Sequence, residues 1–260
     1  MVELTVLLEN TSNNPALEAE HGLSLLVETP QCKFIFDCGQ SEMTWRNAAR
    51  LGVELSTVEF VVLSHSHYDH AGGYRSMPVK PKVLYTGKNF WREKYSVGDG
   101  DCKYKGAGFT QNDLDGWGVT QKICGARLDV GEGIYLIGKF NRKYPFETIP
   151  KKFVCGAEHQ PDDFSDEICL AIRGRDGLTV IAGCSHVGIL NIVSTVHSRL
   201  NYPVVGVIGG IHLSKAADVR IDATLNELKN LGVKRLNLCH CSGERARGTQ
   251  IATGSIIKVE

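Results

Sequence analysis

Val61-Val62-Leu63-Ser64-His65-Ser66-His67-Tyr68-Asp69-His70-Ala71-Gly72-Gly73 is the stretch on which the reading of this chain turns. A β-branched apolar run stops at three histidines and an aspartate within six residues. The run from Val58 to Leu63 predicts a buried strand, and the two glycines let one backbone lie close against another. Residues two apart on extended backbone point the same way, so His65 and His67 can share one ion. Asp69 and His70 fall past the strand end, where the chain turns, and can face a second ion. Neutral imidazole and carboxylate suit borderline divalent metals. Two ions roughly 3.5–4 Å apart can clamp a water between them and bring its pKa toward about 7. That supplies a hydroxide nucleophile without a Ser or Cys. A lone loop histidine would be solvated and idle. Three of them with an aspartate, directly after a buried strand, predict a metal centre.

At 260 residues the chain can bury a sizeable core, a common length for one layered α/β domain. Formal net charge is zero and the basic residues are dispersed, which leaves no electrostatic footprint for nucleic acid or an anionic membrane. No apolar run approaches a membrane span, and Met1-Val2-Glu3-Leu4 does not open a signal peptide. Nine cysteines without a secretory signal read as reduced thiols in a cytoplasmic protein. The sequence sets no oligomeric state.

Taken in order, residues 2–8, Leu23–Glu28 and Lys33–Phe36 predict strands, the last two joined as a hairpin. Asp37-Cys38-Gly39 closes the third. A helix is expected from Ser41 to Leu51, with Trp45, Ala48 and Ala49 inward and Gly52 as its stop. Beyond a short strand at Lys82–Thr86, residues 87–160 lose clear periodicity apart from Gly133–Ile137. Such a segment in a folded chain is usually functional. It reads as a substrate-facing insertion whose aromatic rings stack and whose Arg92, Lys103 and Lys105 clamp an anionic group. Order returns in a hairpin, Glu167–Arg173 with Leu178–Ala182. A helix from Gly188 has Ile189, Ile192, Val193, Val196 and Leu200 on one face. A strand at Pro203–Val207 follows, then a helix at Lys215–Leu231 with Ala217, Ile221, Leu225 and Leu228 inward. Strand Lys234–Leu238, a short helix at Glu244–Ile251 and a strand at Ser255–Val259 close the chain. Four strands thus end in histidines, at 65–70, 186, 212 and 240, and strand ends on one edge can build one site.

His65-Ser66-His67-Tyr68-Asp69-His70 resembles the His-x-His-x-Asp-His signature of the metallo-β-lactamase superfamily. The resemblance covers most of the chain, because later pieces come in the expected order. It implies an α/β fold, the αββα four-layer sandwich, as one domain over 1–260 with the insertion at about 87–160. It also implies two divalent ions, Zn²⁺ foremost, with Mn²⁺ or Fe also suited by the donors. On the family pattern His186 is the third ligand of the first ion and His240 the last ligand of the second, beside His65, His67, Asp69 and His70. Asp37 supports the centre by hydrogen bonds to ligand-bearing loops, as outer carboxylates do. The family's shared acidic ligand is replaced by Gly183-Cys184. A thiolate there can bind metal, and Cys184 can equally be a packed thiol. His212 either fills in as a ligand or donates to substrate; the second is adopted. Cys239 and Cys241 flank His240 and, on extended backbone, both point away from it.

Gly183-Cys184-Ser185-His186-Val187-Gly188-Ile189, Gly209-Gly210-Ile211-His212-Leu213 and His240-Cys241-Ser242-Gly243 resemble the branch typified by archaeal dihydropterin ribosylaminobenzene phosphate synthase. The implied activity is metal-dependent hydrolysis, a metal-bound hydroxide attacking a phosphoester or ester-type centre in an anionic small molecule. Asp69 orients the nucleophile, and His212 protonates the leaving group or holds an oxyanion. The alternatives are a pterin-type synthase, a non-catalytic or redox metal protein, and a nuclease. Redox members of the superfamily carry a carboxylate where this chain has His67, and neutral charge disfavours the nuclease.

Overall fold

The computed structural model describes residues 1–98, 100–247 and 251–259. Its first sheet is built on β1 (Val2–Leu8), β2 (Ser24–Glu28) and β3 (Lys33–Phe36), which pair antiparallel in that order. Parallel to β3 lies β4 (Phe60–Val62), then β5 (Val83–Gly87). The far edges are β8 (Thr120–Cys124) beside β5 and β17 (Ile256–Val259) beside β1. The second sheet runs from β9 (Arg127–Gly131) through β10 (Ile134–Gly138), β13 (Ile168–Arg173) and β14 (Leu178–Ala182) to β15 (Val204–Gly209) and β16 (Arg235–Leu238). There β14, β15 and β16 are parallel.

Alternation along the strands decides the layering. Phe34, Phe36, Phe60 and Val62 face Leu136, Ile168, Leu170 and Ile208 in one buried cluster between the sheets. Their alternate neighbours Ile35, Val61 and Leu63 point outward against Trp45 and Ala48 of α1 (Met43–Arg50). Cys169, Ala171 and Val180 pack outward against α4 (Ile189–Leu200) and α5 (Asp218–Asn230). The order is therefore helix, sheet, sheet, helix, the αββα sandwich. Each fully buried Val, Leu, Ile or Phe here stabilises it by about 1.5–3 kcal/mol.

Differences from the sequence-based expectation are local. Ala49 of α1 faces solvent and Asn47 takes the inward place, its side chain donating to the carbonyls of Leu7 and Glu18. Ala217 is exposed, ahead of α5 rather than within it. Residues 87–160 are only partly irregular: 139–152 form turns and loops without helix or strand, but β8, β9 and β10 complete the two large sheets. The remainder folds as α3 (Gln111–Trp117) and a small sheet of β12 (Gln160–Pro161), β11 (Phe153–Cys155), β6 (Lys94–Gly98) and β7 (Asp101–Tyr104). Short strands with solvent on one or both faces carry little apolar alternation, so they leave no periodic trace. Glu244–Ala246 form turns rather than a helix, and residues 248–250 of that expected helix lie outside the described residues.

Candidate metal centre

All the predicted metal-binding side chains converge at one edge, where parallel strands deliver their carboxyl ends. His186 follows β14, His212 follows β15 and His240 follows β16; across the sandwich, Asp37 follows β3 and His65 follows β4. The chain past His67 winds into the one-turn helix α2 (Tyr68–Ala71), which carries Asp69 and His70. Close backbone contact makes this possible. A side chain at Gly73 would collide with the Cys38 carbonyl, and one at Gly183 with Ser64 and Asp37.

Two donor sets result. His65, His67 and His186 hold ring nitrogens within 4.8 Å of one another. His65 Nε2, His67 Nε2 and both ring nitrogens of His186 are buried without a hydrogen-bond partner. Burial keeps all three imidazoles neutral, His67 down to about 3 and the other two well below the ordinary range. Beside them lie Asp69, His70 and His240. His70 Nε2 is 3.2 Å from His240 Nε2, and Asp69 Oδ2 is 3.3 Å from the same His240 nitrogen. Burial opposes charge on His70, but Asp37 and Asp69 outweigh it and raise this ring to about 9. Burial also opposes charge on Asp69, yet His70, His21 and His240 hold its carboxyl well below the usual range.

Hydrogen bonds around the rings aim their lone pairs inward. Ser64 Oγ donates to Asp37 Oδ2 at 2.8 Å, so the His65 Nδ1–H at 2.9 Å must donate to that hydroxyl. His70 Nδ1–H donates to Asp37 at 2.7 Å, and His240 Nδ1–H to Asn10 Oδ1 at 3.0 Å. In each ring Nε2 remains for an ion, the arrangement that carboxylates and amides impose on metal-binding histidines. Unpartnered, neutral imidazoles in the first set, and in the second a carboxylate beside His70 and His240 whose attraction for a cation already raises His70, fit a divalent ion in each.

The two sets open into a cavity of about 630 Å³, to whose lining His67, Asp69, His186, His212 and His240 contribute. His212 sits with its ring centroid 4.4 Å from that of His186, and burial takes its pKa down to about 4. Lys105 lines the cavity, its ammonium over the Tyr68 ring. Lys103 and Arg92 do not. Lys103 turns to Asp101, its same-face neighbour on β7, at 3.1 Å, and Arg92 lies 3.8 Å from Asp163. Lys152, Lys215 and Arg220 stand at the cavity instead.

Several site residues leave no local mark in the sequence. Glu9 accepts the His240 amide at 2.7 Å, and Glu167 accepts the amides of His186 and Val187, each at 2.8 Å. His21 Nε2 lies 3.0 Å from Asp69 Oδ2. Cys241 does not point away from the centre: a left-handed φ of 53° at His240 breaks the extended alternation and turns Cys241 to the cavity. Cys239 alone points away, into the core between the sheets.

A family model described as the metallo-beta-lactamase superfamily matches residues 17–83. The crystal structure of a metal-dependent hydrolase of the β-lactamase superfamily superposes with a TM-score of 0.86 at 30% identity, over 100% of this chain and 99% of that one. The chain belongs to the metallo-β-lactamase superfamily. Among its relatives is the 7,8-dihydropterin-6-methyl-4-(β-D-ribofuranosyl)-aminobenzene-5'-phosphate synthase of Methanocaldococcus jannaschii, 29% identical over 90% of this chain and 84% of that protein. An uncharacterized protein of the same organism is 27% identical over 94% of this chain and 91% of its own length. Among the described residues no helix is long and apolar enough to cross a membrane.

Proposed function

We propose that the chain is a hydrolase that holds two divalent ions, Zn²⁺ the best match to its donors, and cleaves an ester or phosphoester in an anionic small molecule. What carries the reading is the pairing of His65, His67 and His186 with Asp69, His70 and His240 beside one cavity, which His67, His186, Asp69 and His240 line. Ions bound there supply Lewis acidity and an activated water. Asp69, held by His21, orients the attacking water from the floor. His212 is neutral at neutral pH and donates to the oxygen that gains charge as the bond breaks. Asp69 is the sole carboxylate among the described lining residues, against three lysines and one arginine, so the cavity selects an anion. The small sheet that brings Lys105, Lys152 and Phe153 to the rim is the substrate-facing part of residues 87–160.

A synthase of the kind named for the Methanocaldococcus jannaschii relative is the second reading, favoured by the share of both chains that match. One assay separates them. Metal-loaded protein is offered phosphodiesters, phosphomonoesters and lactones, with H67A alongside. Turnover by the native chain and not by H67A is expected. A silent panel, with H67A behaving identically, overturns the hydrolase, and retention of a fluorescent pterin without hydrolysis selects the synthase.

A further inference from the structure

We propose that Cys184 and Cys241 are sulfur donors to the ion held by Asp69, His70 and His240, with Cys184 shared between the two ions. The assignment rests on the metal centre proposed above and goes beyond its histidines and aspartate. Cys184 Sγ lies 3.2 Å from His70 Nε2. It groups with His65 and His70 on one side and with His240 and Cys241 on the other, donor atoms in each group lying within 4.8 Å of one another. A sulfur that belongs to both groups stands where a ligand common to both ions must stand. Cys241 closes the second group, and both sulfurs line the cavity.

Local backbone explains the placement. The left-handed turn at His240 lets consecutive residues, His240 and Cys241, face one centre. Gly210 has no Cβ, and one there would press on Cys241 Sγ. A packing role would put these thiols among apolar side chains, as it does Cys239. Instead Cys184 sits against the His70 ring nitrogen, and Cys241 Sγ, which accepts the His212 amide at 3.3 Å, lies within 4.8 Å of a His240 ring nitrogen.

Thiolates favour thiophilic ions over hard ones. Each thiol that ligates forms a sulfur–metal bond and gives its proton to the buffer. The site then prefers Zn²⁺ and Cd²⁺ over Mg²⁺ and Mn²⁺.

Chelator-treated full-length protein is titrated with CdCl₂ while near-ultraviolet absorption and bound metal are followed. A thiolate-to-cadmium charge-transfer band that grows with the bound ion is expected. C184S should abolish most of the band, C241S should lower it and C239S should leave it intact. Two bound ions with no such band, or a band unchanged in both C184S and C241S, overturn the sulfur assignment alone. Failure to bind any ion overturns the metal centre as well. Should a variant not fold, the native spectrum still decides.

Discussion

Lys94 Nζ donates to Asp166 Oδ1 at 2.7 Å, both side chains almost wholly buried. The other oxygen of Asp166 accepts the amide of Ser66, the residue between His65 and His67, at 2.9 Å. Asp162 is the second partner of Lys94, at 2.7 Å. Burial opposes the ammonium charge, but Asp166 and Asp162 outweigh it and raise the lysine. The ammonium also lies over the Phe164 ring, which stacks on His186 with centroids 4.0 Å apart. One cation of the small sheet thereby braces both halves of the three-histidine set.

Lys94→Met keeps the stem and removes the charge, leaving two buried carboxylates without a counter-ion. A loss on the order of 3–5 kcal/mol is expected, read by urea denaturation. A loss under about 1 kcal/mol would show that the carboxylates find other partners.

Asp37 acts on the neighbouring set. Asp37→Asn preserves shape and an oxygen for the Ser64 amide, but it sets an amide N–H against Ser64 Oγ or the Nδ1–H of His70. The ring then loses its fixed orientation. Metal affinity should fall by about 10–100-fold, measured by competition with a chromophoric chelator. Unchanged affinity would mean that packing alone orients His70.

How much of this was readable in the sequence follows from distance along the chain. His65, His67, Asp69 and His70 announce themselves because ligand spacing and a strand end coincide within six residues. His186 and His240 each end an apolar strand, as His212 does, and it is the resemblance to the family pattern that singles out these two as ligands. The Asp166–Ser66 bond spans 100 residues and the Glu9–His240 bond 231, and neither end carries a local pattern. Cys241 was misread because alternation assumes extended backbone, and His240 is left-handed. The inner strands of the large sheets are legible from buried β-branched runs, whereas the edge strands β8 and β9, exposed or half-buried at every residue but Cys124, and β7, exposed at all four residues, have no buried apolar face to reveal them.

Lys152 tests the charge of the substrate. Burial lowers its pKa first, and then the neighbouring ammonium groups of Lys215 and Lys105, so three cations face one space. Lys152→Glu puts a carboxylate among them. For an anionic substrate KM should rise about tenfold or more, roughly 1.4 kcal/mol, with kcat little changed. KM of the native enzyme should also climb with ionic strength. A KM indifferent to both would mean that the substrate's charge does not meet this rim.

Glu147 links stability to pH. Its carboxylate accepts the amides of Leu190 and Asn191 in the first turn of α4, the helix that follows His186. Burial pushes its pKa up to about 7 from 4.5, although those amides and nearby Arg220 and Arg142 favour the anion. Below about pH 4.5 folded and unfolded chains both hold the proton, and the contribution of this group is complete. Between 4.5 and 7 only the folded chain holds it, so stability falls as pH rises and the contribution is gone above about 7. The direction is that of a raised pKa, opposite to a salt-bridged carboxylate. Glu147→Gln stays neutral and keeps an oxygen for one amide, which removes the slope due to this residue. Glu167, raised to about 7 by the same cause, titrates in both proteins and cancels from the comparison. The native chain's stability relative to E147Q should therefore be greater at pH 5 than at pH 8 by about 2–3 kcal/mol, read from urea curves at the two pH values. A difference independent of pH would mean that Glu147 is already ionised in the folded chain at pH 5, with the helix amides overcoming its burial.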